Sequence, residues 1–166
     1  MIKGGYLMKS ASQYDETVHA SFRNSACGPT AVHILLSHYH IHYTINDLYR
    51  HLQTSVIGLF TPLLLYNLRK LLGNDWYIER ATLGNALHDV QTKRPVLMKF
   101  DQYFSWQFYK SATFRYHWVV LVDYQIDQDE LYLLIINNGK EQWIHYGTNA
   151  HALSFVQVSP RRTCKS

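Results

Sequence analysis

Hydrophobic periodicity changes near residue 75. Before that point apolar residues recur at helical spacing; after it they fall mostly in short runs of strand character. Such a chain is predicted to adopt an α+β fold, a helical first half packed on an antiparallel second half. The first helix follows Cys27-Gly28-Pro29 and places Ala31, Ile34, Leu35 and Tyr39 on one face. Pro29 suits a first turn, where its missing N–H costs nothing. The second takes Thr44 as N-cap, with Asp47 three residues on and Ile45, Leu48, Tyr49 and Leu52 as its buried stripe. The third starts at Thr61, with Pro62 at the first helical position, carries Leu63, Leu64, Tyr66, Leu68 and Leu71, and stops at Gly73.

Strand runs follow at Trp76 to Glu79 and, after a short helix near Gly84 to Val90, at Pro95 to Phe100. Tyr116 to Tyr124 and Glu130 to Asn137 read as a hairpin joined by the polar turn Gln125 to Asp129. Further strands are expected at Gln142 to Tyr146 and Ala152 to Val158. With 166 residues, 47% of them apolar, and no repeat or linker, the chain is expected to form one domain over 1–166, ending in a short polar tail from about 159.

Charge and cysteine usage exclude several classes. The net charge is +4, and the clustered positives, Arg161, Arg162 and Lys165, read as a solvated end. Nucleic acid is therefore not the expected partner. Two cysteines, Cys27 and Cys164, are too few for a disulfide framework. The first ten residues contain no apolar signal region, and no apolar run approaches membrane length. The expectation is a soluble protein of a reducing compartment, cytoplasmic by default, with no membrane partner. His33, His38, His40 and His42 cluster, but no Cys or carboxylate joins them at ligand spacing, so neither metal nor cofactor is expected. Asp123, Asp127, Asp129 and Glu130 read as a solvated turn, and Asp89 likewise as a solvated carboxylate.

Cys27 stands where the first helix begins. A helix N-terminus offers free N–H groups and a positive dipole end, which favour a thiolate and lower a cysteine pKa. Gly28 lets a substrate carbonyl approach the backbone, and the Cys27 N–H is placed to donate to a developing oxyanion. Such a nucleophile needs a base. His117 opens the apolar run His117-Trp118-Val119-Val120-Leu121-Val122 and suits that role, where the bland alternative is a satisfied edge histidine. The next strand closes on Asn137-Asn138-Gly139, 20 positions after His117, and an Asn there can accept from the imidazole and fix its tautomer. Asn137 directly follows the apolar strand; Asn138 is the alternative.

Cys-Gly-Pro-Thr opening a helix, His-Trp-Val-Val-Leu opening a strand and Asn closing the next strand resemble the papain-like cysteine peptidases. The nearest branch is the bacteriocin-processing (double-glycine leader) peptidases and their stand-alone relatives. The resemblance runs in order from about Gln13 to Val158. It implies a papain-like fold, a peptide or protein substrate, and an upstream Gln whose amide donates to the oxyanion hole. Here Ser12-Gln13-Tyr14-Asp15 matches that element, so the role falls to Gln13. This chain departs from the pattern in three ways. Gln13 lies 14 positions before Cys27, longer than usual, with the polar stretch Glu16 to Ala26 between them. Asn-Asn-Gly stands where Asp-Pro is common. No transporter segment accompanies the domain, so leader cleavage during export is not implied.

The expected activity is amide hydrolysis through an acyl-enzyme. The same residues would serve acyl transfer or deamidation, which differ only in the acceptor. A catalytically silent binding module on this fold is the alternative from another class. Tyr103 to Arg115, rich in aromatics, immediately precedes His117 and is expected to wall the cleft, or else to cap the sheet or meet a second copy.

Overall fold

The run Tyr116–Asp127 is apolar over its first half because both of its faces are covered. It forms β3, whose Trp118, Val120 and Val122 enter one hydrophobic core while Val119 and Leu121 enter another. A strand buried on one face alternates polar and apolar residues; one buried on both need not. The structure is a computed structural model and describes residues 11–161 apart from 104 and 108.

The elements follow in the order α1 (Cys27–His38), α2 (Ile45–His51), α3 (Thr61–Leu72), β1 (Trp76–Ala81), α4 (Leu83–Gln91), β2 (Val96–Asp101), β3, β4 (Glu130–Asn137), β5 (Lys140–His145), α5 (Tyr146–Asn149) and β6 (Leu153–Pro160). The six strands make one sheet in the order β1-β6-β2-β3-β4-β5, antiparallel throughout. Residues of α1, α2 and α3 pack on one face, against Leu97, Trp118, Val120, Ile136 and Val156. Ala86 and Val90 of α4 pack on the other, against Met98, Phe100, Val119 and Ile135. The α+β arrangement expected from the periodicity is the one found. Among the described residues no helix is long and apolar enough to cross a membrane.

Local signals act as the sequence suggested. Thr44 Oγ1 accepts from Asp47 N at 3.0 Å and caps α2. Gly73 ends α3 at φ 78°, a conformation that suits glycine. Pro62 falls within the first two positions of α3, and Phe60 takes the N-cap place. Other readings need correction. β3 and β4 extend until only Gln128 and Asp129 remain between them, both at positive φ, a two-residue turn that continues the strand twist. β6 runs to Pro160, so Ser159 is a buried strand residue and not the start of a tail. Asp89 is not solvated: it is 4% exposed, bound to Arg94 at 2.6 Å and to Gln157 Nε2 at 2.6 Å. Buried carboxylates persist when paired in this way. Cys164, Arg162 and Lys165 lie outside the described residues.

Gly28 has a packing reason that its sequence context did not reveal. A Cβ there would lie 2.8 Å from Leu59 Cβ, so the second residue of α1 meets the Leu59 side chain with no room between. Gly28→Ala is expected to destabilise the protein by about 1–3 kcal/mol through overpacking. Urea unfolding should show a lower midpoint at unchanged slope; an unchanged midpoint would mean that Leu59 gives way freely.

Candidate active site

Two groups converge at the end of the sheet where β3 begins and β4 ends. His117 is the second residue of β3 and Asn137 the last of β4, and His117 Nε2 lies 2.7 Å from Asn137 Oδ1. An amide oxygen can only accept, so Nε2 carries the proton and Nδ1 keeps its lone pair. Phe114 covers the imidazole, its ring centroid 4.8 Å away, and in turn meets Phe100. This burial pushes the His117 pKa below its ordinary value, and the Asn137 hydrogen bond partly opposes it. The imidazole is therefore neutral at neutral pH, the form a general base requires.

The choice between the two asparagines has a geometric answer. β4 and β5 are joined by Asn138 and Gly139 alone, at φ 47° and 74°. Asn-Gly is the preferred pair for such a two-residue hairpin turn. Asn138 thus turns the chain, and its Oδ1 accepts from Gln13 N at 3.0 Å. That bond ties the Gln13 segment to the end of β4, beside the His117–Asn137 pair. Gln13 is 4% exposed; its Nε2 donates to Arg23 O at 2.7 Å, and Oε1 is buried with no hydrogen-bond partner among the described residues. The long interval to Cys27 is taken up by a folded loop. Arg23 Nε donates to Val18 O at 3.1 Å, and Asn46 of α2 binds both His19 N and Thr17 O.

Cys27 is the first residue of α1, a buried free thiol. The backbone N–H groups of Trp118, Gly28 and Cys27 itself act on its sulfur in favour of the thiolate. Trp118 directly follows His117, so one of these N–H groups belongs to the strand that carries the imidazole. Among the described residues no hydrogen bond joins thiol to imidazole. The expected lowering of the thiol pKa is not realised. Burial pushes it up, and this outweighs the N–H donors and the charge of Lys99, which act the other way. A helix N-terminus favours the anion, but removal from water disfavours it more.

The described residues of the aromatic insertion between β2 and β3 lie in no helix or strand. Phe114 reaches the site, whereas Tyr103, Trp106 and Tyr109 are exposed. Sequence reasoning passed over Lys99, Tyr116 and Leu59. Tyr116 Oη and Trp118 Nε1 both donate to Leu59 O, at 2.7 and 2.9 Å. The one signal for Lys99 was a lysine inside an apolar strand. His33 Nδ1 donates to Tyr43 O at 2.7 Å, and among the described residues no group of three His, Cys, Asp or Glu is placed to hold a metal.

His117 also makes stability depend on pH. Its folded pKa lies below its unfolded one, so on acidification the unfolded chain takes up this proton first. The contribution is complete above about pH 6.5 and is lost as the pH falls below that value. The urea midpoint of the wild type relative to His117→Gln should therefore decline between about pH 7 and pH 5. A difference that stays constant would mean that the imidazole is solvated.

Comparison with known proteins places the fold. The profile of the peptidase C39-like family matches residues 8–151. The peptidase domain of Streptococcus ComA, a bifunctional ABC transporter of a quorum-sensing pathway, superposes with a TM-score of 0.64 at 15% identity, over 93% of this chain and 99% of that one. A Bacillus anthracis protein assigned as a C39-like peptidase superposes with a TM-score of 0.59, again at 15% identity, over 92% and 96%. At that identity the likeness is one of fold. No curated protein matches the sequence.

Proposed function

The chain belongs to the peptidase C39-like family, and on that premise we propose that it is a cysteine peptidase acting through Cys27, His117 and Asn137. The observation that carries this reading is the 2.7 Å His117–Asn137 bond, with Cys27 buried in the same core as Trp118, the residue that follows His117. In the free enzyme the thiol is raised and the imidazole lowered, so both start neutral. Catalysis then begins with general-base attack. Cys27 Sγ bonds to the carbonyl carbon as its proton passes to His117 Nδ1. The C–N bond breaks, and the amine leaves with that proton. Water, deprotonated by His117, cleaves the thioester and returns the thiol. Asn137 holds the imidazole in the tautomer and orientation that both halves need.

Gln13 and the Cys27 N–H serve as oxyanion donors in this proposal. One N–H of the Gln13 amide is engaged by Arg23 O and the other is available to a developing charge. The bond from Gln13 N to Asn138 supports this role by keeping the segment at the correct end of the sheet. Catalytic hydrogen bonds often tighten only once substrate is bound, which accommodates a thiol and imidazole not yet in contact. Peptides are the substrate class, and the protein is expected to work in a reducing compartment.

A non-catalytic binding module is the second reading. It is favoured by the buried thiol, whose donors are backbone N–H groups rather than the imidazole. New peptide termini generated from a proteome-derived peptide library, read by mass spectrometry, separate the two. Turnover should appear with the wild type and vanish in a folded Cys27→Ala variant. Cleavage that persists in Cys27→Ala, or that never appears in the wild type, removes the peptidase reading.

The acid limb of kcat/KM provides a second check. It should lie below about pH 6.5, because burial depresses His117. Asn137→Ala should move it lower still, since that hydrogen bond raises the His117 pKa, and should reduce kcat by about tenfold or more. A limb that moves upward would show that Asn137 does not hold the imidazole.

A further inference from the structure

Lys99 stands in β2 between Met98 and Phe100 and is 4% exposed. Lysines are almost never so buried unless paired. Its ammonium lies 2.7 Å from Asp101 Oδ2, and 4.6 and 5.6 Å from the ring centroids of Tyr116 and Trp118. An ion pair that satisfied only itself would be a poor use of this position, since apolar residues of similar volume often stabilise as well or better. The register shows what else the charge faces. Lys99 is level with Trp118 and Asp101 with Tyr116 across the β2–β3 ladder. Trp118 is buried in the same core cluster as Cys27. The cation is thus level with Trp118, which shares a core with Cys27, while the carboxylate sits two residues further along the strand.

We infer that Lys99 is a positioning residue of the active site, its ammonium fixed by Asp101 and two aromatic rings so that positive charge stands behind the Cys27 thiol and favours the thiolate as it forms. This deepens the peptidase reading and rests on it. The charge acts on the sulfur in the direction opposite to burial. The other titratable groups near the sulfur do not supply a cation. From β3, His117 is lowered and neutral, and Tyr116, pushed up to about 12 chiefly by burial, keeps its proton. From α2, Tyr49 is engaged with Ser25 Oγ at 2.8 Å. Arg80 and His151 line the same cleft as Lys99 and Asp101. On β6, the residue opposite Lys99 is the uncharged Ser154.

The test is the rate of Cys27 alkylation by iodoacetamide from pH 6 to 10, followed by peptide mass spectrometry, in the wild type, Lys99→Met, Lys99→Gln and Lys99→Arg. At pH 8 both neutral variants should alkylate about tenfold more slowly, their midpoint raised by about one unit, with Lys99→Arg within about twofold of the wild type. A lysine of merely structural value predicts the reverse, since loosened packing exposes the sulfur and speeds the reaction. Alkylation as fast as the wild type, or faster, in a folded neutral variant overturns the inference. Lys99→Gln keeps a donor for Asp101 and remains readable should Lys99→Met fail to fold. No turnover is measured here, so failure of the peptidase reading shows itself separately, as hydrolysis surviving in Cys27→Ala.

Discussion

Leu59 ties the helix that starts at Cys27 to the strand that starts beside His117. Its carbonyl accepts from both Tyr116 Oη and Trp118 Nε1, and its side chain fills the space above Gly28. Two donors on one buried carbonyl satisfy polar groups that would otherwise be stranded in the core. The contact on Gly28 admits no side chain at that position of α1. Together these contacts fix the distance between the start of α1 and the start of β3. Cys27 and His117 lie one on each side of that junction, so a shift of either element would separate them.

The electrostatics of the site are a contest between burial and local dipoles. Burial disfavours both the thiolate and the imidazolium, and it prevails at each. Three N–H donors and Lys99 oppose it at the sulfur; Asn137 opposes it at the imidazole. Burial thus favours the neutral form of each group, and charge would arise only in the course of the proposed reaction. A water-poor site makes each fixed donor more effective once charge develops, because little solvent screens it. The fold keeps this region dry by covering both faces of β3, and Phe114 adds a lid over His117 itself.

Most of the element order was legible from periodicity and turn chemistry, because caps, glycine stops and apolar spacing are local. Asn137 and Asn138 show where such reading stops short. Asn-Gly at 138–139 is a strong hairpin signal, and it would have assigned Asn138 to the turn and Asn137 to the strand. Asp89 shows the opposite limit. Nothing beside it in the chain announces that Gln157, from the last strand, will reach it at 2.6 Å. Gln13 lies between these cases: its type and order matched a family pattern, yet its position depends on Asn138, Arg23 and Asn46 holding a long loop in place.

By itself the sequence determined the α+β class, the helix that starts at Cys27, the strand that starts at His117 and the asparagine pair that closes the next strand. These follow from periodicity and chain order, which are one-dimensional. Only the tertiary structure decided which asparagine meets the imidazole, why Gly28 must be bare, and that the thiol is raised and not lowered. It alone placed Lys99 level with Trp118, in the core that also holds Cys27. Each of these depends on what is packed against a group rather than on what precedes it. Desolvation and through-space charge are properties of neighbours, and neighbours exist only once the sheet and helices have closed on one another.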